Sequence, residues 1–141
     1  MRNGKVLVLV AGLLVALSAV ARGRVISRCE LANEILRHNV SVGLVKHWVC
    51  LAESESYLTT DRVGENADLS SNYGIFQINQ YWCGDSLNPD KCDVKCEDLL
   101  NEDLYDDFEC ALKIYRKRRF SAWDGWRKGC KGVHLENVST C

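Results

Sequence analysis

The chain has 141 residues, of which 18 are basic and 19 are acidic, giving a formal net charge of −1 at pH 7. A charge this close to zero argues against a nucleic-acid-binding protein, which normally presents a strongly basic surface. The length accommodates one domain with a hydrophobic core but is too short for two.

The beginning of the chain has the pattern of a secretory signal peptide over residues 1–21. Arg2 and Lys5 precede an apolar stretch at residues 6–20 that ends in small residues. The stretch is interrupted by small and polar residues and is shorter than the roughly 20 apolar residues that span a membrane, so a membrane anchor is the weaker interpretation. Cleavage after residue 21, or alternatively after residue 23, leaves one domain at residues 22–141. Sixteen basic and 19 acidic residues remain beyond residue 21, a net charge of about −3.

All eight cysteines lie beyond this leader, and an even number in an exported protein predicts four disulfides. The count alone leaves the pairing open. A zinc site built from Cys83, Cys92, Cys96 and Cys110 is the alternative, but neither a C-x2-C pair nor a nearby histidine supports it.

The first half of the domain is predicted to contain two helices and a small β region. Residues 30–38 carry leucine and isoleucine at near-helical spacing, which predicts a short amphipathic helix. Ser41 is a suitable N-cap for a second helix, which carries an apolar stripe and has Glu55 at its far end. Residues 59–79 change to polar turn residues, followed by a strand-like run at 73–78.

The second half is predicted to contain the longest helix, over residues 97–118, because apolar side chains recur there at helical intervals. This segment begins with acidic residues and ends with basic ones, a polarity that suits the helix dipole. We expect the basic run at residues 116–119 to be a solvated helix end. The aromatic stretch at residues 120–126 is expected to pack on this helix.

Short motifs occur along the exported chain, most of them beside a cysteine: CELA at 29–32, WVCLA at 48–52 followed by Glu55-Ser56, NYGIFQIN at 72–79, YWC at 81–83 and AWDGWR at 122–127. In this order they resemble the C-type lysozymes and their relative α-lactalbumin. The resemblance implies an α+β fold with a helical subdomain, a small three-stranded antiparallel β subdomain and a glycan cleft between them. The disulfides that it implies are Cys29–Cys141, Cys50–Cys130, Cys83–Cys96 and Cys92–Cys110.

The resemblance also assigns catalytic roles. Glu55 matches the general acid of lysozyme, the type case of this chemistry, and Trp123 matches the tryptophan whose apolar surroundings raise the pKa of that acid. Asn72 stands where the family's second carboxylate, an aspartate, is usual. An amide can neither attack as a carboxylate does nor supply a full negative charge opposite the developing cation. Asp68 and Glu65 lie in the same turn and are candidates for that charge.

The resemblance to the family is more complete at the positions that bind sugar than at the two catalytic positions. In such sites aromatic faces stack on sugar rings, while amide and backbone groups read N-acetyl substituents. Asn66 also matches the residue that hydrogen-bonds to the usual aspartate. The residues expected to bind substrate are Asn66, Gln77, Asn79, Tyr81, Trp82, Ala122 and Trp123. Tyr81 and Trp82 could instead be ordinary packing beside Cys83.

Three functions remain open: a lysozyme of reduced activity on β-1,4 linkages of peptidoglycan or chitin-like glycans, a glycan-binding protein without turnover, and a non-enzymatic partner protein like α-lactalbumin. The first is favoured because Glu55 retains the acid step and a water molecule could attack directly. We expect a secreted, antimicrobial monomer that needs no cofactor and contacts peptidoglycan or chitin oligosaccharides rather than nucleic acid or membrane. Glycosylation sequons begin at Asn39 and Asn137.

The acidic segment at residues 98–107 resembles the calcium loop of α-lactalbumin and of calcium-binding lysozymes. Ca²⁺ favours several carboxylate and carbonyl oxygens. The implied ligands are the side chains of Asn101, Asp106 and Asp107 and the backbone oxygens of Asp98 and Asp103. Asn101 replaces the usual aspartate, which lowers the charge of the loop. The alternative is a solvated, acidic helix start.

Overall fold

The structure is a computed structural model that describes residues 23–84, 87–138 and 140–141. The predicted signal peptide at residues 1–21 lies outside the described residues. Within the described ranges the chain forms four α-helices, two 3₁₀ helices and three short strands. None of these helices is long and apolar enough to cross a membrane.

The two helices predicted for the first part of the chain are present. Helix α1 covers Arg28–Arg37, and helix α2 covers Val42–Ser56. Ser41 lies at the N-cap position of α2, as predicted, although its side chain makes no capping hydrogen bond. The helix ends where Tyr57 adopts a left-handed conformation with a φ of 54°. Glu55 is therefore the penultimate residue of α2, close to the point where the chain turns towards the sheet.

The predicted β region is a three-stranded antiparallel sheet. Strand β1 covers Val63–Glu65, β2 covers Ser71–Tyr73 and β3 covers Ile78–Asn79, in the spatial order β1-β2-β3. Asn72 lies at the middle of the central strand, directly opposite Asn79 of β3. Backbone pairing on both sides of β2 therefore holds Asn72 in place.

The run at residues 73–78, which was predicted to be strand-like, is mainly a turn. Tyr73 ends β2, and the four following residues reverse the chain before β3 begins. Gly74 and Gln77 have φ values of 75° and 47°, which no strand contains. A Cβ atom at Gly74 would overlap the carbonyl oxygen of Leu99, so only glycine fits there. The apolar character of the run reflects burial of this turn in the core.

The segment predicted to be one long helix is two elements. A 3₁₀ helix covers Cys96–Leu100, and helix α3 covers Tyr105–Arg118. Between them, Asn101 Oδ1 accepts a hydrogen bond from Asp103 N at 2.7 Å, and Asp103 Oδ1 accepts one from Tyr105 N at 3.1 Å. Such local side-chain bonds compete with helical ones. Helix α3 has 14 residues and α2 has 15, so the prediction of the longest helix is wrong for the described part of the chain.

The last elements are a 3₁₀ helix at Arg119–Ala122 and helix α4 at Asp124–Gly129. The aromatic stretch packs on α3, as predicted, with the rings of Phe120 and Tyr115 at 4.7 Å between centroids. This packing places the segment after α3 alongside the end of α2.

Trp48 of α2 lies at the centre of the core and is fully buried. Its ring centroid is 5.9 Å from that of Phe76 in the turn after β2, 5.0 Å from Phe108 of α3 and 5.7 Å from Trp123. One apolar cluster thus connects the sheet, α3 and the segment before α4. Because aromatic groups of this size dominate core energetics, the relative positions of these elements are well determined.

All four disulfides implied by the resemblance are confirmed: Cys29–Cys141, Cys50–Cys130, Cys83–Cys96 and Cys92–Cys110. The alternative zinc site is wrong, because all four of its proposed thiol ligands are engaged in two of these bonds.

Candidate active site

A cleft with a volume of about 270 Å³ opens between the sheet and the helices. It lies where the end of α2, strands β2 and β3 and the segment after α3 meet. The cleft is lined by Glu55, Asn66, Asn72, Gln77, Ile78, Asn79, Trp82, Ile114, Arg118, Ala122, Trp123 and Asp124. The fold thus brings together the residues proposed for catalysis and sugar binding, with the exception of Tyr81.

Glu55 is partly buried in this cleft, and its Oε1 accepts a hydrogen bond from the backbone N–H of Gly125 at 2.8 Å. Burial raises the pKa of the Glu55 carboxyl. The bond from Gly125 and the positive charges of Arg62 and Lys128 oppose this shift without cancelling it. Removal of a carboxyl from water disfavours its charged form, and this cause dominates here. The direction of this shift is the one that a general acid requires.

Trp123 forms an apolar wall of the same cleft. It is 5% exposed, and its Nε1 donates a hydrogen bond to the backbone oxygen of Phe76 at 2.9 Å. This bond satisfies the one polar atom of the indole, so the remaining ring surface is apolar. Its position supports the expectation that Trp123 contributes to the environment of Glu55.

Glu53 is the nearest competitor for the acid role, but it does not line the cleft. Its Oε2 accepts a hydrogen bond from Arg28 Nη2 at 2.7 Å, in an ion pair that ties α2 to α1. Residues two apart on a helix do not share a face, which explains why Glu53 and Glu55 have different surroundings.

Asn72 is held by a network of amide side chains. Its Oδ1 accepts hydrogen bonds from Asn66 Nδ2 at 3.1 Å and from Asn79 Nδ2 at 3.0 Å. In return, Asn72 Nδ2 donates to Asn66 Oδ1 at 3.0 Å. The expected contact between Asn66 and position 72 is thus present, although both partners are neutral. The network fixes a polar group at this position without supplying a charge.

Neither Asp68 nor Glu65 replaces the missing carboxylate. Both are exposed and neither lines the cleft. Asp68 Oδ1 accepts hydrogen bonds from the backbone N–H and the hydroxyl of Ser70 at 3.0 and 2.7 Å, which lower the pKa of Asp68. Its carboxylate therefore stabilises the turn between β1 and β2.

Trp82 and Tyr81 have different positions relative to the cleft. Trp82 is half-buried and lines the cleft, so one part of its ring is available to a ligand. Tyr81 is 58% exposed outside the lining, with its ring edge-on to that of Trp82 at 5.3 Å. The predicted contact of Tyr81 with substrate therefore has no support from the cleft geometry.

Gln77 also lines the cleft, but its side chain supports the turn. It is 8% exposed, and its Nε2 donates to the backbone oxygens of Arg62 and Gly74, both at 3.0 Å. These bonds use both N–H groups of the amide. A ligand can therefore reach only the remaining acceptor capacity of Gln77.

Sequence reasoning missed two charged residues of the cleft, Arg118 and Asp124. Arg118 belongs to the basic run that we interpreted as a solvated helix end, while Asp124 begins α4 and forms an ion pair with Arg127. Asp124 lies within the AWDGWR motif, next to Trp123, and this adjacency was the available signal. Arg118 had no such signal, because its position depends on where α3 ends.

The acidic segment contains one unusual carboxyl, that of Asp107. Its side chain is buried, at 1% exposure, and neither of its oxygens has a hydrogen-bond partner in the described part of the chain. Burial and the neighbouring Asp106 raise the pKa of Asp107 to about 9. Among the described residues no cluster of three or more histidine, cysteine or acidic side chains is suitable for a metal ion. The candidate ligands therefore depend on amide and backbone oxygens in addition to carboxylates.

Comparison with known proteins agrees with this fold. The chain is 42% identical over 130 residues to a lysozyme of Bombyx mori, covering 91% of this chain and 94% of the relative. It is 40% identical over 129 residues to lysozyme c-1 of Anopheles gambiae, covering 91% and 92% of the two chains. The crystal structure of a lysozyme from Equus asinus superposes with a TM-score of 0.71 at 35% identity, covering 79% of this chain and 92% of that one. The model of the C-type lysozyme/alpha-lactalbumin family matches residues 24–141, and the chain belongs to this family.

Proposed function

We propose that this protein is a secreted glycoside hydrolase of lysozyme type that cleaves β-1,4 linkages in peptidoglycan or chitin-like glycans. The observation that carries the proposal is Glu55, a partly buried carboxyl with a raised pKa at the end of α2, which lines the cleft between the sheet and the helices. Trp82 provides an aromatic face in the same cleft, the kind of group on which sugar rings stack.

In this mechanism Glu55 donates its proton to the glycosidic oxygen as the bond to the sugar breaks. The sugar then carries positive charge that resembles an oxocarbenium ion. A water molecule attacks this centre, and the Glu55 carboxylate accepts a proton from the water, which regenerates the acid. Because Glu55 acts on the same face in both steps, the product should retain the configuration of the anomeric carbon.

The rate should be reduced because Asn72 offers only a dipole where family members have a negative charge. The Asn72 amide oxygen already accepts two hydrogen bonds, so little of its electron density is available to stabilise the sugar cation. A weaker stabilising group raises the barrier for bond breaking without preventing it. The acid step depends on Glu55 and remains available.

The proposed setting is extracellular. Residues 1–21 have the pattern of a signal peptide, and four disulfides persist in an oxidising compartment. We propose a monomer with an antimicrobial role and with bacterial peptidoglycan or chitin oligosaccharides as its partners.

The proposal is tested by measuring the hydrolysis of peptidoglycan, both as loss of turbidity and as release of reducing ends. The matched pair of variants is Glu55→Gln and Glu53→Gln, which remove carboxyls two residues apart on α2. We expect Glu55→Gln to abolish the slow hydrolysis and Glu53→Gln to preserve it. Absence of any Glu55-dependent cleavage between about pH 4 and about pH 9 would remove the hydrolase proposal.

A glycan-binding protein without turnover is the second candidate, and the neutral amide network around Asn72 favours it. Binding of chitotriose with no cleavage, even after prolonged incubation, would support this function. Absence of both binding and cleavage would instead point to a non-enzymatic partner protein.

We further propose that Ca²⁺ binds the acidic segment. The supporting observation is the Asp107 carboxyl, whose buried oxygens have no hydrogen-bond partner among the described residues and so would gain most from a bound cation. The proposed ligands are the side chains of Asn101, Asp106 and Asp107 and the backbone oxygens of Asp98 and Asp103. Hard oxygen donors of this kind suit Ca²⁺.

Thermal unfolding with calcium and with a chelator tests this second site. A cation that binds only the folded protein raises the melting temperature, and we expect this for the wild type and not for Asp107→Asn. Asp98→Asn is the control, because only the backbone oxygen of Asp98 is a proposed ligand. Equal melting temperatures of the wild type at millimolar calcium and in chelator would exclude the site.

A further inference from the structure

Of the three ionisable side chains that line the cleft in the described part of the chain, only the positive one, Arg118, has no hydrogen bond or ion pair. Of the charged residues that line it, Asp124 is paired with Arg127, and Glu55 is held towards its neutral form by burial. Position 72 supplies an amide rather than a carboxylate. Arg118 is the remaining charged residue, and its guanidinium makes no hydrogen bond or ion pair with any described residue.

Arg118 is directed towards the aromatic part of the cleft. Its guanidinium carbon lies 5.6 Å from the ring centroid of Trp82, within the range of a cation–π contact. This contact leaves the N–H groups of the guanidinium without protein acceptors in the described ranges. A sugar that stacks on Trp82 would therefore place its substituents beside the guanidinium N–H groups of Arg118.

The chemistry of these donors identifies the kind of substituent that they fit. Arginine presents a planar set of N–H groups that matches the two oxygens of a carboxylate or sulfate. A neutral hydroxyl or acetamido group offers a single acceptor and no charge. The absence of a carboxylate at position 72 also removes the negative charge that would repel an acidic ligand from this cleft.

We propose that Arg118 is a specificity-determining residue that selects saccharides carrying an anionic substituent, carboxylate or sulfate, over neutral chitin oligomers. This inference rests on the proposed glycan-binding cleft, and it names the chemical class of ligand that the cleft prefers. Arg118 does not take part in proton transfer, and its effect is on binding rather than on bond cleavage.

Calorimetric titration with three tetrasaccharides of one backbone tests the inference: neutral chitotetraose, the same oligomer carrying lactyl ether carboxylates, and the same oligomer carrying sulfates. We expect the wild type to prefer at least one acidic ligand by about fivefold to tenfold at low ionic strength. Arg118→Gln should lose this preference, because it should lose more affinity for the acidic ligands than for chitotetraose. The carboxylated and sulfated forms distinguish the two sources of charge.

Arg116→Gln is the matched control, because Arg116 is an exposed residue of the same helix end that does not line this cleft. It should keep the full preference. Three results would overturn the inference: a wild type without preference, an Arg118→Gln variant that keeps the preference, and one that loses affinity equally for neutral and acidic ligands. Because these titrations need no turnover, an inactive enzyme does not affect them. Failure of the hydrolase proposal is thus recognised separately, from the Glu55-dependent assay.

Discussion

Replacement of Asn72 by aspartate tests directly whether this position limits the rate. A carboxylate oxygen can accept the two hydrogen bonds that Asn72 Oδ1 now receives from Asn66 and Asn79, at 3.1 and 3.0 Å. The bond that Asn72 Nδ2 donates to Asn66 Oδ1 is lost. One neutral hydrogen bond is worth about 1 kcal/mol, and charge strengthens the two that remain. We therefore expect the free energy of unfolding to change by about 1 kcal/mol or less.

The gain in rate follows from the charge that the carboxylate places opposite the sugar cation. Two unit charges about 4 Å apart attract by about 4 kcal/mol at an effective dielectric constant of about 20. The transition state carries only part of a charge, so about two thirds of this energy, ~2.7 kcal/mol, lowers the barrier, which corresponds to an increase in kcat of about 100-fold. A nearby negative charge also raises the pKa of Glu55 further, which moves the loss of activity at alkaline pH to higher pH.

Hydrolysis rates measured across the pH range for Asn72→Asp and Asn66→Asp test both expectations. Asn66 lines the same cleft one hydrogen bond away, so its aspartate variant adds the same charge at a different point. We expect a large gain from Asn72→Asp, abolished again by Glu55→Gln, and little gain from Asn66→Asp. Equal gains from the two aspartates, or none from Asn72→Asp while Glu55 remains essential, would refute the reasoning.

Burial raises the pKa of Glu55, so this carboxyl stabilises the fold below its ordinary pKa of 4.5 and loses that contribution as the pH rises through the folded value. Glu55→Gln should therefore gain melting temperature relative to the wild type as the pH rises from about 4.5 towards the folded pKa of Glu55, and a constant difference across this interval would contradict burial. Trp82→Ala should weaken chitotriose binding by about fivefold in fluorescence titrations, whereas Tyr81→Ala should have a smaller effect. A larger loss from Tyr81→Ala would place the ligand outside the cleft. Replacement of Cys29 and Cys141 by alanine, which opens a link across 112 positions, should lower the free energy of unfolding by about 4 kcal/mol in denaturant titrations, and a loss below about 1 kcal/mol would show that other contacts hold the two segments.

The disulfide pairing and the order of elements were predictable because they depend on motifs anchored by cysteines. Cysteine positions relative to recognisable motifs fix which segments meet, and all four expected pairs are present. Helices α1 and α2 were predictable from apolar periodicity. Their buried residues follow one face of each helix.

The apolar periodicity wrongly predicted one continuous helix over residues 97–118, because a side chain can be buried whether or not its backbone is helical. Leu104 and Phe108 are buried at a helical interval, and Leu99 is buried with them, but the 3₁₀ helix that contains Leu99 ends before Leu104. Asn101 and Asp103 determine this break by binding backbone N–H groups two residues ahead. A pattern of apolar residues reports which side chains face the core and does not report whether the backbone is continuous.

Some of the residues that line the cleft could be predicted from the sequence, and others could not. Asn66, Asn72 and Asn79 could be identified because the family places functional residues at those positions. Strand pairing brings Asn72 and Asn79 together, and side-chain hydrogen bonds join Asn66 to Asn72. Arg118 could not be identified from the sequence. All four residues of the basic run are exposed to solvent, and only the exact end of α3 decides which of them reaches Trp82.

The retained acid and the altered second position belong to physically separate parts of the molecule. Glu55 owes its raised pKa to burial at the end of α2, and its hydrogen-bond partner is Gly125 of α4. Asn72 lies on β2, and its side-chain partners are residues of the sheet region. No hydrogen bond joins the two side chains in the described part of the chain, so a change from aspartate to asparagine removes the charge opposite the sugar, while the burial that raises the pKa of Glu55 remains. Loss of the second carboxylate should therefore appear as a lower kcat with an acid that still titrates, rather than as loss of the cleft.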